Sequence, residues 1–191
     1  MIKQGKIFVI SGPSGSGKTT LRDKVLGKSR LKARFVKSVS FTTRKKRSGE
    51  RNGKDYFFIS RALFKRYLKE QKILEWTRYL GYYYATSRDF VAKQLGAGKN
   101  IVLCLDLKGA KRTKKLFPHN SVTIFIKPPS LQELHRRIEG RCTKTAKAEV
   151  IKRLALARQE LKAASGFDYC LVNKDFKKTA NALRDIILEE T

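Results

Sequence analysis

Acidic residues are scarce in this chain: 16 Asp and Glu stand against 44 Lys and Arg, a net charge of +28 over 191 residues. Such an excess attracts polyanions and gives salt-dependent, sequence-independent affinity for nucleic acid. The cations, however, run along the whole chain rather than gathering in a tail, which favours a basic, solvated surface over a dedicated nucleic-acid reader. The run Tyr82-Tyr83-Tyr84 could stack bases, but no RNP-like pattern or zinc knuckle accompanies it. Cysteine and histidine are equally sparse. Cys104, Cys142 and Cys170 are odd in number, far apart and without C-x-x-C spacing, so neither a disulfide framework nor a zinc site is indicated and reduced thiols are expected. His119 and His135 form no metal constellation. No apolar run is long enough to cross a bilayer, and Met1 to Lys6 lead into a strand-like segment without a signal-peptide pattern, so a cytoplasmic protein is expected. No internal repeat is visible.

What is present begins with Gly12-Pro13-Ser14-Gly15-Ser16-Gly17-Lys18-Thr19, followed by Thr20, which fits G-x-x-x-x-G-K-[ST]. Ile7 to Ser11 before it reads as a buried strand, and Thr20 to Leu26 after it as the start of a helix. Glycines there let backbone N–H groups converge on an anion beside the positive end of the helix. Lys18 can reach the β- and γ-phosphates, and the Thr19 hydroxyl can ligate Mg²⁺. An ATP or GTP site is the reading.

Strands and helices alternate from there. Phe35–Ser40 reads as a second strand, 42–53 as a polar loop, Asp55–Ile59 as a strand, and Ser60 as the N-cap of a helix through Lys69. Ile73–Trp76 and Tyr79–Tyr84 read as extended segments, so 41–87 forms a mainly β insertion. Ser87 caps a helix ended by Gly96 and Gly98, and Ile101–Asp106 is an apolar strand closing on an acid. A helix from Lys108 stops before Pro118, Ser121–Lys127 is a strand, and a Ser130-x-x-Glu133 capping box opens a helix to Glu139. After a break at 140–147 come a helix over Glu149–Ala164, a strand over Tyr169–Asn173 and a last helix over Lys177–Leu188. Helices between buried strands predict an α/β fold with a parallel sheet flanked on both faces. Its ligand site should lie beyond the carboxyl ends of the strands, gathering the glycine loop, Ser40 and Asp106 on one rim. Phosphoryl transfer needs cations around the moving group, and Arg44, Arg47, Arg137, Arg141 and Arg153 are the candidates, with a fork that binds two phosphate oxygens at once.

Over nearly its whole length the sequence resembles the guanylate kinase family. The likeness is carried by the glycine loop, by Ser38 to Arg47, by Gly49-Glu50-Arg51-Asn52-Gly53-Lys54-Asp55-Tyr56, by Glu75-Trp76 and by Tyr83 to Ser87. It continues through Pro128-Pro129-Ser130, Arg137 to Arg141, Lys152-Arg153-Leu154 and Val172-Asn173. The resemblance implies a three-part ATP:GMP phosphotransferase: a P-loop core (1–40, 88–136 and 165–191), a GMP-binding insertion at about 41–87, and a lid at about 137–164. It implies ATP at Gly12 to Thr20, with Mg²⁺ on Thr19. GMP phosphate falls to Arg44, Arg47, Tyr56 and Tyr84, and guanine to Ser40, Glu75 and Thr86, with Asp106 nearby. Arg47, Arg137, Arg141, Arg153 and Lys18 take catalytic roles. A carboxylate at Glu75 can accept from the N1–H and 2-amino group of guanine, a donor pair adenine lacks. Use of dGMP and the oligomeric state are left open.

Two departures stand out. The family often ends its strand Asp-x-Asp, where this chain has Cys104-Leu105-Asp106; alternation would put Cys104 and Asp106 on one face and remove a carboxylate from the site. The lid run Thr143 to Glu149 is basic where relatives tend to be acidic, which should favour closure over anions. The rival readings are a catalytically silent guanylate-kinase-like module that binds phosphopeptides, and another P-loop small-molecule kinase.

Overall fold

The computed structural model describes residues 4–27, 31, 33–140 and 147–191. The first strand, β1 (Ile7–Ser11), is buried along its whole length, and its alternation serves two sides at once. Phe8 and Ile10 join one apolar cluster while Ile7 and Val9 join another. A strand buried on both faces needs apolar residues at every position. The sheet it centres is all parallel, in the order β2 (Phe35–Lys37), β7 (Asn100–Cys104), β1, β8 (Ser121–Lys127), β9 (Tyr169–Val172). On one face lie α1 (Lys18–Leu26) and α7 (Phe176–Glu189), contributing Leu21, Val25, Leu183 and Ile187. On the other lie α3 (Arg88–Gly96) and α4 (Leu107–Leu116), contributing Val91, Leu95 and Ala110.

A second sheet, in the order β4 (Phe57–Phe58), β3 (Phe41–Thr42), β6 (Tyr82–Ser87), β5 (Ile73–Tyr79), carries α2 (Arg61–Lys69) through Phe64, Ile73 and Ala85. The segment expected as one extended run over Tyr79–Tyr84 is instead a hairpin. Leu80 and Gly81 form its two-residue loop with φ of 49° and 85°, the left-handed pair that matches strand twist. The expected strand at Phe35–Ser40 stops at Lys37, because the chain leaves the first sheet there to enter the second at Phe41. The Asp55–Ile59 strand shrinks to Phe57–Phe58, since Asp55 is spent on the Arg51 amide at 2.7 Å.

Local chemistry sets the helix starts. Ser60, Ser87, Ser130 and Asp175 each accept a hydrogen bond from the amide three residues on. The capping box at the head of α5 (Leu131–Glu139) is only half formed: Ser130 caps, but the Glu133 carboxylate turns to Arg136 and Arg137. Helix α6 (Lys147–Lys162) packs on α5 through Val150, Ala157, Leu134 and Ile138. No described helix is long and apolar enough to cross a membrane.

Candidate active site

The glycine loop leaves β1 in a conformation few side chains allow. Gly12, Gly15 and Gly17 have φ of 133°, 93° and 99°, and a Cβ on Gly12 would stand 2.3 Å from the Ile126 carbonyl oxygen. Ser16 N–H donates to the Pro13 carbonyl at 3.1 Å, and Lys18 Nζ lies against the Gly12 and Pro13 carbonyls, 2.9 Å from the latter. Thr19 and Thr20 are exposed in the first turn of α1. Asn173, just past β9, braces the loop: its amide donates to the Lys127 carbonyl at 2.8 Å, and its side-chain Nδ2 to the Ser16 carbonyl at 2.8 Å. Arg137 Nη2 approaches the Asn173 carbonyl at 3.3 Å while Nε is held by Glu133 at 2.8 Å. Two arginines on one acid, Arg136 first and Arg137 second, draw the Glu133 carboxyl down to about 2.

From α6, Arg153 is buried and paired with Glu149, and its Nε has no hydrogen-bond partner among the described residues. It lies near Tyr79 at the end of β5, which also reaches Ser14 of the loop. Burial above all, then Glu160, pushes the Tyr79 hydroxyl up to about 12, against Arg153 and Ser14. Burial likewise raises the Glu160 carboxyl, opposed by Lys18. Thus strand β5 of the second sheet and helix α6 meet around the glycine loop.

The second sheet supplies a second cluster. Glu75 on β5 and Thr86 on β6 are cross-strand partners, both buried, and Thr86 Oγ1 donates to Glu75 Oε1 at 2.6 Å. Glu75 Oε2 has no hydrogen-bond partner among the described residues. Burial, with Asp106 adding to it, pushes the Glu75 carboxyl up to about 7, opposed by Thr86 and Arg112. Asp106 caps α4, its Oδ1 accepting from Gly109 N–H at 2.9 Å and its Oδ2 from Thr77 Oγ1 at 2.7 Å. Because β7 ends at Cys104 and Asp106 opens a helix, the expected shared strand face of these two residues does not arise. Cys104 instead packs into the cluster beneath α1, and burial raises its thiol despite Arg22 and Lys18.

Arg44 is 8% exposed, held by both oxygens of Glu50 at 2.7 and 3.0 Å, and lies over the Tyr56 and Phe58 rings. Tyr56 meets Tyr84 edge-on with ring centres 5.8 Å apart. Arg47 is exposed, its backbone amide donating to Glu50 at 2.8 Å. Ser40 sits between the two sheets, its carbonyl accepting from Phe57 N–H at 2.9 Å. Arg141 and the run Thr143 to Ala146 lie outside the described residues. The structure therefore unites Arg44, Tyr56 and Tyr84 in one group, Glu75, Thr86 and Asp106 in another, and the loop with Arg137 and Arg153 in a third; Arg47 stands apart. Sequence reasoning gave no part in the site to Glu50, Thr77, Tyr79, Gly109 or Asn173, and gave Glu133 only a capping role. Only Glu50 and Asn173 carried a signal, as members of the resembling segments.

As to metal, no group of three or more His, Cys, Asp or Glu among the described residues could hold one. What the loop offers is the exposed hydroxyl of Thr19, directly after Lys18, a hard oxygen donor suited to a Mg²⁺ that arrives with phosphate oxygens.

A parallel sheet with a glycine loop between its central strand and a helix defines a P-loop nucleotide-binding protein. The guanylate kinase family model matches residues 4–190. A guanylate kinase of Caldanaerobacter subterraneus is 43% identical over 189 residues, covering 98% of this chain and 89% of its own. One of Mycoplasma genitalium is 41% identical over 187 residues, covering 98% and 77%. The crystal structure of guanylate kinase from Anaplasma phagocytophilum superposes with a TM-score of 0.79 at 32% identity, covering 98% of this chain and 87% of that one. The chain belongs to the guanylate kinase family.

Proposed function

We propose that this protein transfers the γ-phosphoryl group of ATP to GMP, giving ADP and GDP, and so serves purine nucleotide metabolism. The observation that carries the reading is Glu75: a buried carboxylate with one oxygen taken by Thr86 and the other unpartnered. Two donors of guanine would satisfy it, and adenine would leave it unpaired, a cost of about 1–3 kcal/mol or more for a charged group.

In this reading residues 41–87 bind GMP, 137–164 form the lid, and the rest is the core. The separate four-stranded sheet and the packing of α6 on α5 support that division. Gly12 to Thr20 take the ATP phosphates, with Lys18 and Arg137 neutralising them. Thr19 is the residue that would hold Mg²⁺, whose charge offsets that of the phosphates. Arg44, Tyr56 and Tyr84 bind the GMP phosphate, and that phosphate trades with Glu50 for the Arg44 fork. Ser40 and Thr86 line the base, and Asp106 stands beside it. Arg47, Arg141 and Arg153 stabilise charge on the moving phosphoryl group. No general base is required, since the attacking phosphate oxygen is already ionised at neutral pH.

The test is to mix the protein with Mg-ATP and, separately, GMP, dGMP, AMP, CMP and UMP, and to follow ADP release. GDP formation with little from AMP is expected. Turnover of another nucleotide alone would point to a different P-loop kinase, and no turnover at all to a binding module.

A further inference from the structure

We infer that Gly109 is a specificity-determining positioning residue: the missing side chain at this point of α4 is what lets the Glu75 carboxylate take its buried seat. The inference deepens, and rests on, the assignment of Glu75 to the base.

Gly109 lies one turn into α4, and the two carboxylates of the base cluster converge on it. Its N–H donates to Asp106 Oδ1 at 2.9 Å, and a Cβ built on it would stand 2.6 Å from Glu75 Oε2 and 3.3 Å from Leu105 Cβ. The nearer contact is far inside van der Waals range, so a methyl group there must move the carboxylate. Glu75 has nowhere cheap to go. It is 2% exposed, its other oxygen is tied to Thr86 at 2.6 Å, and Thr86 is itself fully buried. Backbone conformation gives no reason for the glycine, because its φ is not positive. Inside a helix glycine is a poorer choice than alanine. The feature that needs glycine here is the room it leaves for Oε2.

Asp106 completes the arrangement. Its second oxygen accepts from Thr77 at 2.7 Å, and Thr77 lies two residues beyond Glu75 on β5. The first turn of α4 and strand β5 are thereby registered against each other, with Gly109 facing the Glu75 carboxylate.

The test compares Gly109→Ala, Glu75→Gln, Glu75→Asp and the double variant Gly109→Ala with Glu75→Asp, measuring kcat and KM for GMP and thermal unfolding. Displacement of a positioned group by a fraction of an ångström to an ångström is expected to raise the GMP KM of Gly109→Ala about ten- to a hundredfold. Its kcat should stay within a few-fold and its Tm should change little, because the helix gain of alanine is set against the cost of moving a buried carboxylate. A role in fold stability alone would instead lower Tm and leave KM in place, overturning the inference. Aspartate is one methylene shorter, so the double variant should recover part of the GMP affinity lost by Gly109→Ala, and should do so even if the single variant folds poorly; no recovery overturns the inference. If Glu75→Gln raises the GMP KM but Gly109→Ala does not, the base assignment stands and the inference on Gly109 falls. If Glu75→Gln changes neither KM nor base preference, the base assignment itself has failed, and the inference with it.

Discussion

Glu75 concentrates the chemistry of a single residue. Burial dominates its environment and lifts its carboxyl from the usual range to about 7. Between roughly pH 4.5 and 7 the folded protein therefore holds a proton that the unfolded chain has released. Stability falls as pH rises across that window, and the full penalty is present above it. Replacing the acid by its neutral isostere removes the term. Glu75→Gln should raise the Tm of the nucleotide-free protein at pH 8 and leave it nearly unchanged at pH 4.5; an equal shift at both would contradict a buried, titrating carboxyl. The same variant should lose discrimination between GMP and AMP. Arg47 is the opposite kind of residue, exposed and tied to Glu50 through its backbone, the amide donating to the carboxylate at 2.8 Å and the carbonyl accepting from the Glu50 N–H at 3.2 Å. A donor engaged only when charge develops typically contributes 10²–10³ in kcat, so Arg47→Ala should lower kcat on the order of a hundredfold. Single-turnover rates of GDP formation check this, and an unchanged rate would remove Arg47 from the chemistry.

At the scale of elements, the phosphate loop depends on neighbours distant in sequence. Leu134 and Ile138 of α5 lie 3.1 and 3.2 Å from where a Cβ on Gly15 would start, and the same two residues pack against Val150 and Ala157 of α6. One helix thus backs the loop and carries α6. Leu134→Ala opens a cavity at that junction and should cost about 2–5 kcal/mol of stability. Because the loop loses its backing, the KM for ATP should rise more than that for GMP. Denaturant unfolding and the two KM values test it, and a stability loss with equal changes in both KM values would show that α5 does not support the loop. Much of this level was legible beforehand. The helix caps at Ser60, Ser87 and Ser130 are local chemistry, and so is the all-apolar Ile7–Ile10 run, which admits no exposed face. The Leu80-Gly81 turn was not legible, because no Asn-Gly or Asp-Gly pair marks it and the tyrosines on both sides read as strand. The side chains that brace the site were not either. Asn173 reaches Ser16 across 157 positions and Thr77 reaches Asp106 across 29, contacts that only the folded chain brings together.

Across the whole molecule the cations outnumber the partners available to them. Glu50, Glu133, Glu149, Asp168 and Glu190 are each engaged with a lysine or arginine, yet a large excess of basic side chains remains. Helix α4 shows the pattern: Lys108, Lys111, Arg112 and Lys115 are exposed at helical spacing on a helix without an acid. Like charges at i and i+4 oppose the helix slightly, so this surface stores a repulsion that any polyanion would relieve. Two consequences differ in size. A nucleotide brings few charges to a site already lined with arginines, and its affinity should weaken modestly as salt rises. Single-stranded RNA crossing three or four exposed cations should show log Kd rising with log salt at a slope of about 2–3, or tens of fold between 50 and 200 mM. Fluorescence anisotropy with a labelled oligonucleotide, set beside a parallel ATP titration, measures both. If RNA and nucleotide share one slope, the excess charge acts only through the active site; if neither depends on salt, surface charge does not govern binding in this protein.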